Sequence, residues 1–396
     1  MGTSDYLYIH PWLHADESWG GFTVSSALGY PNGERLHHLL GLPGVQGMDP
    51  HLPWFLQVAN AADVRIADTL PVERTVLLLQ PPAEPEHQEA AEQLESDLRR
   101  SGRKLGIILT PGDPLPPTGV WNYVVLAAGH ARTLPPFSLI GLATRTAIAV
   151  AQVRTRNDYG WAASHQASLI SGEYLSTRQT PTNKPDVTRV KLLELLALVV
   201  RDADTPELEN IFRQEPKLAY GLLRLVNSAA MAPRSPVTSF GQAIQLLGRR
   251  QLQRWLQLLV YADANNGAQA NPLLLHAATR GRMMELLVDL LPGIREPATE
   301  PDAAFMTGTF SLLDVLLNLS MTDILPQLPL PAAIHDALAS RSGVMGELLA
   351  AIVAADTRDY ATADRILARL GVSPDTFSDA QASALEWASR IRSLAA

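Results

Sequence analysis

Two textures of apolar spacing divide this chain. Between Thr75 and Val153 the apolar residues fall in short unbroken runs: TVLLLQ (Thr75–Gln80), KLGIIL (Lys104–Leu109), NYVVLAA (Asn122–Ala128) and TAIAVAQV (Thr146–Val153). Runs of that length, rich in Val, Ile and Leu and separated by polar stretches, predict β-strands buried on both faces. EPEHQEAAEQLESDLRRSG, between the first two, predicts a polar helix stopped at Gly102. Strands alternating with helices predict a mostly parallel sheet. The first fifty residues are rich in Gly, Pro, His and Trp, and only one strand is predicted there, near Tyr6–Ile9.

The second texture is helical. TRQTPTNKPD (Thr177–Asp186) has two prolines and no bulky apolar residue, which predicts a linker and a division into domains 1–180 and 181–396. After it come VTRVKLLELLALVV, LENIFRQ, LQRWLQLLVYADA, LLLHAATRGRMMELLVDLL and FSLLDVLLNL, then three more helices between Ala332 and Ala396. The stretch Glu215–Gly248 has the most specific punctuation. Pro216 suits a first helical turn, where its missing N–H is no loss. Leu218, Leu222, Leu225 and Val226 share one helical face, and Asn227 and Ser228 end it, because their side chains compete for backbone hydrogen bonds. Ser239 is placed to cap the next helix and Gly248 to stop it.

Composition narrows the chemistry. At 396 residues with 46% hydrophobic content, two packed cores are the natural expectation. The absence of cysteine excludes disulfides, thiolate catalysis and cysteine–zinc sites. A formal net charge of −8 argues against nucleic-acid partners held by electrostatics. Arg249, Arg250 and Arg254 beside Trp255 form a small basic cluster, read first as a solvated helix face and second as an anion or partner contact. The start MGTSDYLYIHPW lacks the basic-then-apolar pattern of a secretory signal, and the apolar run Leu192–Val200 is far too short to span a bilayer. A cytoplasmic protein with no membrane partner is expected.

EPKLAYGLLRLVNSA and SFGQAIQLLG resemble the HDOD domain, a bacterial signalling module related to the HD metal phosphohydrolases. HD enzymes hold divalent metals with His and Asp from several helices around an activated water. By that resemblance AFMTGTFSLLDVLL stands where the adjacent His-Asp pair belongs, and here it reads Leu313-Asp314. Leucine ligates no metal, so Asp314 is left as a packing or capping carboxylate. His276 stands where a first ligand could be; without partners it reads as an interhelical histidine. His335-Asp336 is a literal HD dipeptide about one helix too late, and reads as a partly exposed helix pair. Met283 and Met284 with Trp255 and Trp387 read as core rather than as a soft pocket.

MTGTFSLLDVLLN, LPQLPLPAAIHDAL and ALEWASRI are similar to the fused EAL–HDOD proteins, whose EAL domain is a modified (β/α) barrel that hydrolyses cyclic di-GMP with two metals. By that resemblance YIHPW stands where the opening strand belongs, GGFTVSS occupies the place of the EAL signature without its Glu, and LLLQPP has Gln80 at a glutamate position. LGIILTPGD has only Asp113, a few residues late, NYVVLAA has no lysine, and ISGEYLS retains Gly172 of the closing segment. Gln80, Asp113 and Gln152 could lie near the old site, with surface or structural roles weighed above that. The region is short for an eight-stranded barrel, which typically takes about 250 residues. The expected fold is therefore α/β plus all-α: an incomplete, degenerate EAL-type barrel followed by a helical HDOD domain.

The resemblance implies a non-catalytic signalling protein acting through contacts with other signalling proteins, with no cofactor and no metal. A second reading is a receptor that binds cyclic di-GMP or another nucleotide without cutting it, for which Arg145, Arg154 and Arg156 are candidates. A third is a residual metal phosphohydrolase using His276, Asp314, His335 and Asp336.

Overall fold

The computed structural model describes residues 6–59, 69–82, 85–100, 102–178, 240–261, 272–291 and 300–395, with isolated positions at 194, 196–198, 200–201, 203–204, 206–207 and 237. Pro216, Asn227, Ser228, Ser239 and most of the proline-bearing stretch Thr177–Asp186 lie outside them. The chain forms two compact units. The first is Met1–Thr177 with Asp356–Asp364; the second is Arg178–Ala355 with Arg365–Ala396.

The first unit is a closed barrel of eight strands in sequence order: β1 (Tyr8–Leu13), β2 (Trp19–Ser25), β3 (Trp54–Gln57), β4 (Thr75–Leu79), β5 (Lys104–Leu109), β6 (Tyr123–Ala127), β7 (Ala147–Ala151) and β8 (Ala167–Ser171). β1 is antiparallel to both neighbours, β2 and β8; every other pair is parallel. The expectation of an incomplete barrel is corrected: all eight strands are present and the sheet closes. Economy in the connections explains how so short a chain closes it. β3 has four residues, and residues 110–122, between β5 and β6, contain no helix.

The apolar runs became strands because both faces are covered. Val124, Leu126, Ile148 and Val150 are buried on one side of β6 and β7, and Val125 and Ala149 on the other. Trp12, Phe55, Val76, Leu78, Val125, Ala149 and Leu169 form one buried cluster drawn from six strands, which is the barrel interior. Phe55 meets Trp12 and Tyr123 edge to face. Apolar spacing does not predict β2 and β3. Their burial comes from Trp19, Phe22, Trp54 and Phe55 rather than from an aliphatic run. Gly21 is required where it stands: its φ is +152°, and a Cβ there would lie 2.8 Å from the Pro53 carbonyl oxygen.

The second unit is helical. Among its described residues are helices Phe240–Leu259, Pro272–Leu290, Pro301–Phe310, Leu313–Leu317, Ala332–Ser340, Gly343–Asp356 and Pro374–Ala395. The helix Tyr360–Arg369 begins within the return segment of the barrel unit. The region after Ala332 thus holds four helices rather than three. Gly248 has φ 72° and ψ 162°, so the helical path breaks there. FSLLDVLLNL is not one helix: the chain turns at Ser311–Leu312 between two. Ala332–Asp356 has the length and apolarity of a membrane span by composition. It turns, however, through Arg341 and Gly343, with φ of 58° and 70°, and its Leu348, Leu349 and Ile352 are buried in the unit. Met283, Met284 and Trp255 are buried, with Trp255 stacked 6.1 Å from Trp387, as core packing requires.

Candidate functional site

In a barrel of parallel strands, side chains at the C-terminal strand ends converge on one mouth, where chemistry is sited. Here that rim is formed by Ser25, Gln57, Gln80, Thr110, Gln152 and Glu173, together with the N-terminal end of β1, which runs the opposite way. Gln57 donates its side-chain amide to Gln80 Oε1 at 3.3 Å, so two neutral amides meet after β3 and β4. Asp113 closes its own turn: its carboxylate accepts from the Thr110 N–H at 2.7 Å and the Thr110 hydroxyl at 2.8 Å. Gln152 is exposed and left-handed, with φ 56°. Glu173, one residue beyond the retained Gly172, is 8% exposed.

The return segment Asp356–Asp364 fills the sector of the mouth over β8, β1 and β2. Tyr8 and His10 alternate with Ile9 and share a side of β1 with Trp12, so they face the barrel interior. Tyr360 stacks on Tyr8 with ring centroids 4.7 Å apart and planes 17° from parallel. Its hydroxyl lies 3.0 Å from His10 Nε2 and within hydrogen-bonding reach of Ser25 and Arg358. The Tyr8 hydroxyl donates to Asp364 Oδ1 at 2.5 Å, and burial followed by that carboxylate pushes the phenol far above its usual range. Arg358, left-handed with φ 64°, forms an ion pair with Glu173 in which the side chains are 25% and 7% exposed. Burial alone would lower the Arg358 guanidinium, but Glu173 and Tyr360 together more than offset it and the net direction is upward.

Of the three candidate arginines, Arg145 precedes β7 and belongs to the opposite rim, beside Gly119. Arg154 follows β7 on the mouth side and is exposed. Arg156 is committed to Glu17 in the β1–β2 hairpin and lies over the rings of Tyr159 and Tyr174, at 4.9 and 5.4 Å.

In the helical unit, Gly281 and Gly308 bring helices Pro272–Leu290 and Pro301–Phe310 together, and a second cluster lies beside them. Arg280 is 3% exposed; it donates to Ser311 Oγ at 2.8 Å and to His276 Nε2 at 3.1 Å. An imidazole nitrogen that accepts from a guanidinium is neutral and has its lone pair engaged. Asp314 caps the following turn through the Val315 N–H at 2.9 Å and lies 3.9 Å from Arg178. Burial raises the Asp314 carboxyl, against the opposing pull of the Val315 N–H and then of Arg178, Arg280 and Arg341.

Sequence reasoning places His276 and Asp314 in this neighbourhood and misses Arg280, whose position one helical turn after His276 is the only signal it leaves. His335 is half-buried and Asp336 exposed, and the two are bonded to each other at 3.2 Å. Arg254, from the small basic cluster, is half-buried between Glu285 and Asp302 and lies 5.4 Å over Phe305. Among the described residues no three His, Asp or Glu converge as a metal would need. Among the described residues, neither the amides of Gln57 and Gln80 nor the Arg280 cluster supplies the ligand set of a divalent ion.

Residues 185–327 match the family model for the HDOD domain, so the helical half carries an HDOD domain. The chain is 22% identical over 240 residues to the uncharacterized protein YuxH of Bacillus subtilis (strain 168), covering 60% of this chain and 57% of that one. It is 27% identical over 195 residues to the cyclic di-GMP phosphodiesterase CdgJ of Vibrio cholerae serotype O1, covering 49% and 44%. The chain thus spans about half the length of the curated relatives it matches. A solved structure, Klebsiella pneumoniae BlrP1 in a manganese and cyclic di-GMP complex at pH 9.0, aligns with a TM-score of 0.31 and 13% identity over 43% of this chain and 55% of that chain. A likeness that slight says nothing about the chemistry of this chain.

Proposed function

We propose that this chain is a non-catalytic signalling protein of the EAL–HDOD kind, in which a barrel and an HDOD domain act through contacts with other signalling proteins. The observation that carries the reading is the chemistry of the barrel mouth. Metal-assisted hydrolysis needs carboxylates free to hold cations and orient water. The described rim offers two amides from Gln57 and Gln80, an Asp113 spent on its own turn, and a Glu173 already neutralised by Arg358. The helical cluster supports the same reading, since Arg280 takes the His276 lone pair that a metal would use.

The test is hydrolysis of cyclic di-GMP and of a phosphate monoester by purified full chain supplied with Mg or Mn. No turnover above blank is expected. Turnover lost in Glu173→Gln would restore a barrel phosphodiesterase, and turnover lost in Asp314→Asn would restore a phosphohydrolase in the helical unit.

A second reading is a receptor that binds cyclic di-GMP without cutting it. It draws support from the exposed Arg154 and Gln152 after β7, which leave a cation and an amide at the rim for a phosphate and a base edge. Calorimetry with cyclic di-GMP on the intact chain, repeated on Arg154→Ala, separates it from the first.

A further inference from the structure

We propose that Asp356–Asp364 is a strap that closes the barrel mouth, and that a ligand enters the sector over β8, β1 and β2 only after Arg358 leaves Glu173 and Tyr360 leaves His10. The ligand half of this proposal rests on the receptor reading; the closure half does not.

Three observations support it. First, the strap reaches rim and interior groups: Glu173 just beyond β8, Tyr8 and His10 on β1, and Ser25 at the end of β2. Second, the contacts are chemically specific. The only rim carboxylate among the described residues that is not closed on its own turn meets a guanidinium, one phenol stacks on another, and an imidazole meets a hydroxyl. A loop that merely passed by would leave Glu173 buried without a countercharge, which is costly. Third, the segment is shaped for this approach. Arg358 takes a left-handed backbone conformation two residues past the end of helix Gly343–Asp356, and the turn made there presents its guanidinium to Glu173. Guanidinium, phenol and imidazole are also the groups with which a protein would hold a phosphate and a nucleobase. A nucleotide with phosphates and a planar base therefore competes for the positions Arg358 and Tyr360 occupy.

The natural absence of cysteine gives a clean test. Ser25→Cys places a single thiol under the strap, and Gln80→Cys a single thiol on the exposed far rim. In the otherwise unchanged chain the Ser25→Cys thiol should react with a small disulfide reagent far more slowly than the Gln80→Cys thiol. Adding Arg358→Ala should speed labelling of the Ser25→Cys thiol by about tenfold or more, because opening of a locally held segment sets the rate. It should leave the Gln80→Cys rate unchanged. Tyr360→Phe, which removes only a hydroxyl, gives a smaller increase in the same direction and guards against misfolding of the alanine variant. Equal Ser25→Cys rates with and without these changes would overturn the strap. Cyclic di-GMP is then titrated against the intact chain and Arg358→Ala. Tighter binding to the variant supports competition. Faster labelling with no nucleotide binding to either protein keeps the strap and removes the receptor reading. Equal, measurable binding to both removes the gate.

Discussion

Gly281 and Gly308 hold two helices in backbone contact. A Cβ added at Gly308 would lie 2.7 Å from both the Arg280 carbonyl oxygen and the Gly281 Cα, and a Cβ at Gly281 would lie 2.7 Å from Thr309 Cγ2. The obstacle at Gly308 is backbone, which cannot rotate aside. Gly308→Ala should therefore push the helices apart and destabilise the helical unit by about 1–3 kcal/mol or more, the range for overpacking. It should also lengthen the reach of Arg280 to Ser311. Denaturant unfolding of the full chain, followed through the helical signal, measures it; an unchanged midpoint would show that the crossing has slack.

Gly160 is the control. It lies within helix Arg156–Ser164, is exposed, and has nothing within 4 Å of an added Cβ. Gly160→Ala should stabilise the barrel unit by about 0.5–1 kcal/mol through helix propensity alone. Opposite signs from the same substitution at two helical glycines would trace the difference to what each Cβ meets.

Tyr261 is fully buried and donates its hydroxyl to the Thr309 carbonyl at 2.6 Å. Burial drives its phenol well above the usual range, which favours the protonated, donating form. Tyr261→Phe keeps the ring and leaves the Thr309 carbonyl, at the end of helix Pro301–Phe310, with only the longer bond from the Leu312 N–H at 3.4 Å. The expected cost is about 0.5–1.5 kcal/mol, that of one hydrogen bond. Thermal unfolding checks it, and a midpoint equal to that of the unchanged chain would mean that Thr309 finds another donor.

Legibility in the sequence tracks how locally each feature is encoded. The apolar run Lys104–Leu109 predicts β5 and lies in β5, because six apolar-rich residues between polar stretches have one good use. β2 and β3 escape prediction because glycines interrupt the first and four residues are too few to show a period in the second. Closure of the barrel depends on register between distant strands, which no local pattern carries. The Arg358–Glu173 pair is invisible for the same reason: TRDY between two helical patterns reads as a polar turn. His276 and Asp314 stand out by resemblance alone, whereas Arg280 looks like any charge on a helix until its burial shows otherwise.

Asp314 provides the last prediction, and its direction comes from linkage. Burial raises its folded-state pKa above the ordinary carboxylate value near about 3.9. The folded chain therefore binds this proton more tightly than the unfolded chain does. Protonation favours folding, and the Asp314 share of stability is present at low pH and lost as pH rises from about 3.9 through the raised folded value. That is opposite to the usual salt-bridged carboxylate, because desolvation here outweighs three arginines. Asp314→Asn cannot titrate, so the stability of the unchanged chain relative to this variant should fall as pH climbs through that window and be level above it. Salt sharpens the test. The Arg178–Asp314 pair is 3.9 Å apart with side chains 49% and 28% exposed, so added salt screens its attraction while burial of the carboxyl is unaffected. The Asp314 pKa, followed by carboxyl NMR, should move further upward with salt. A value at or below the ordinary one, or a downward move with salt, would mean that the arginines and not burial govern this carboxylate.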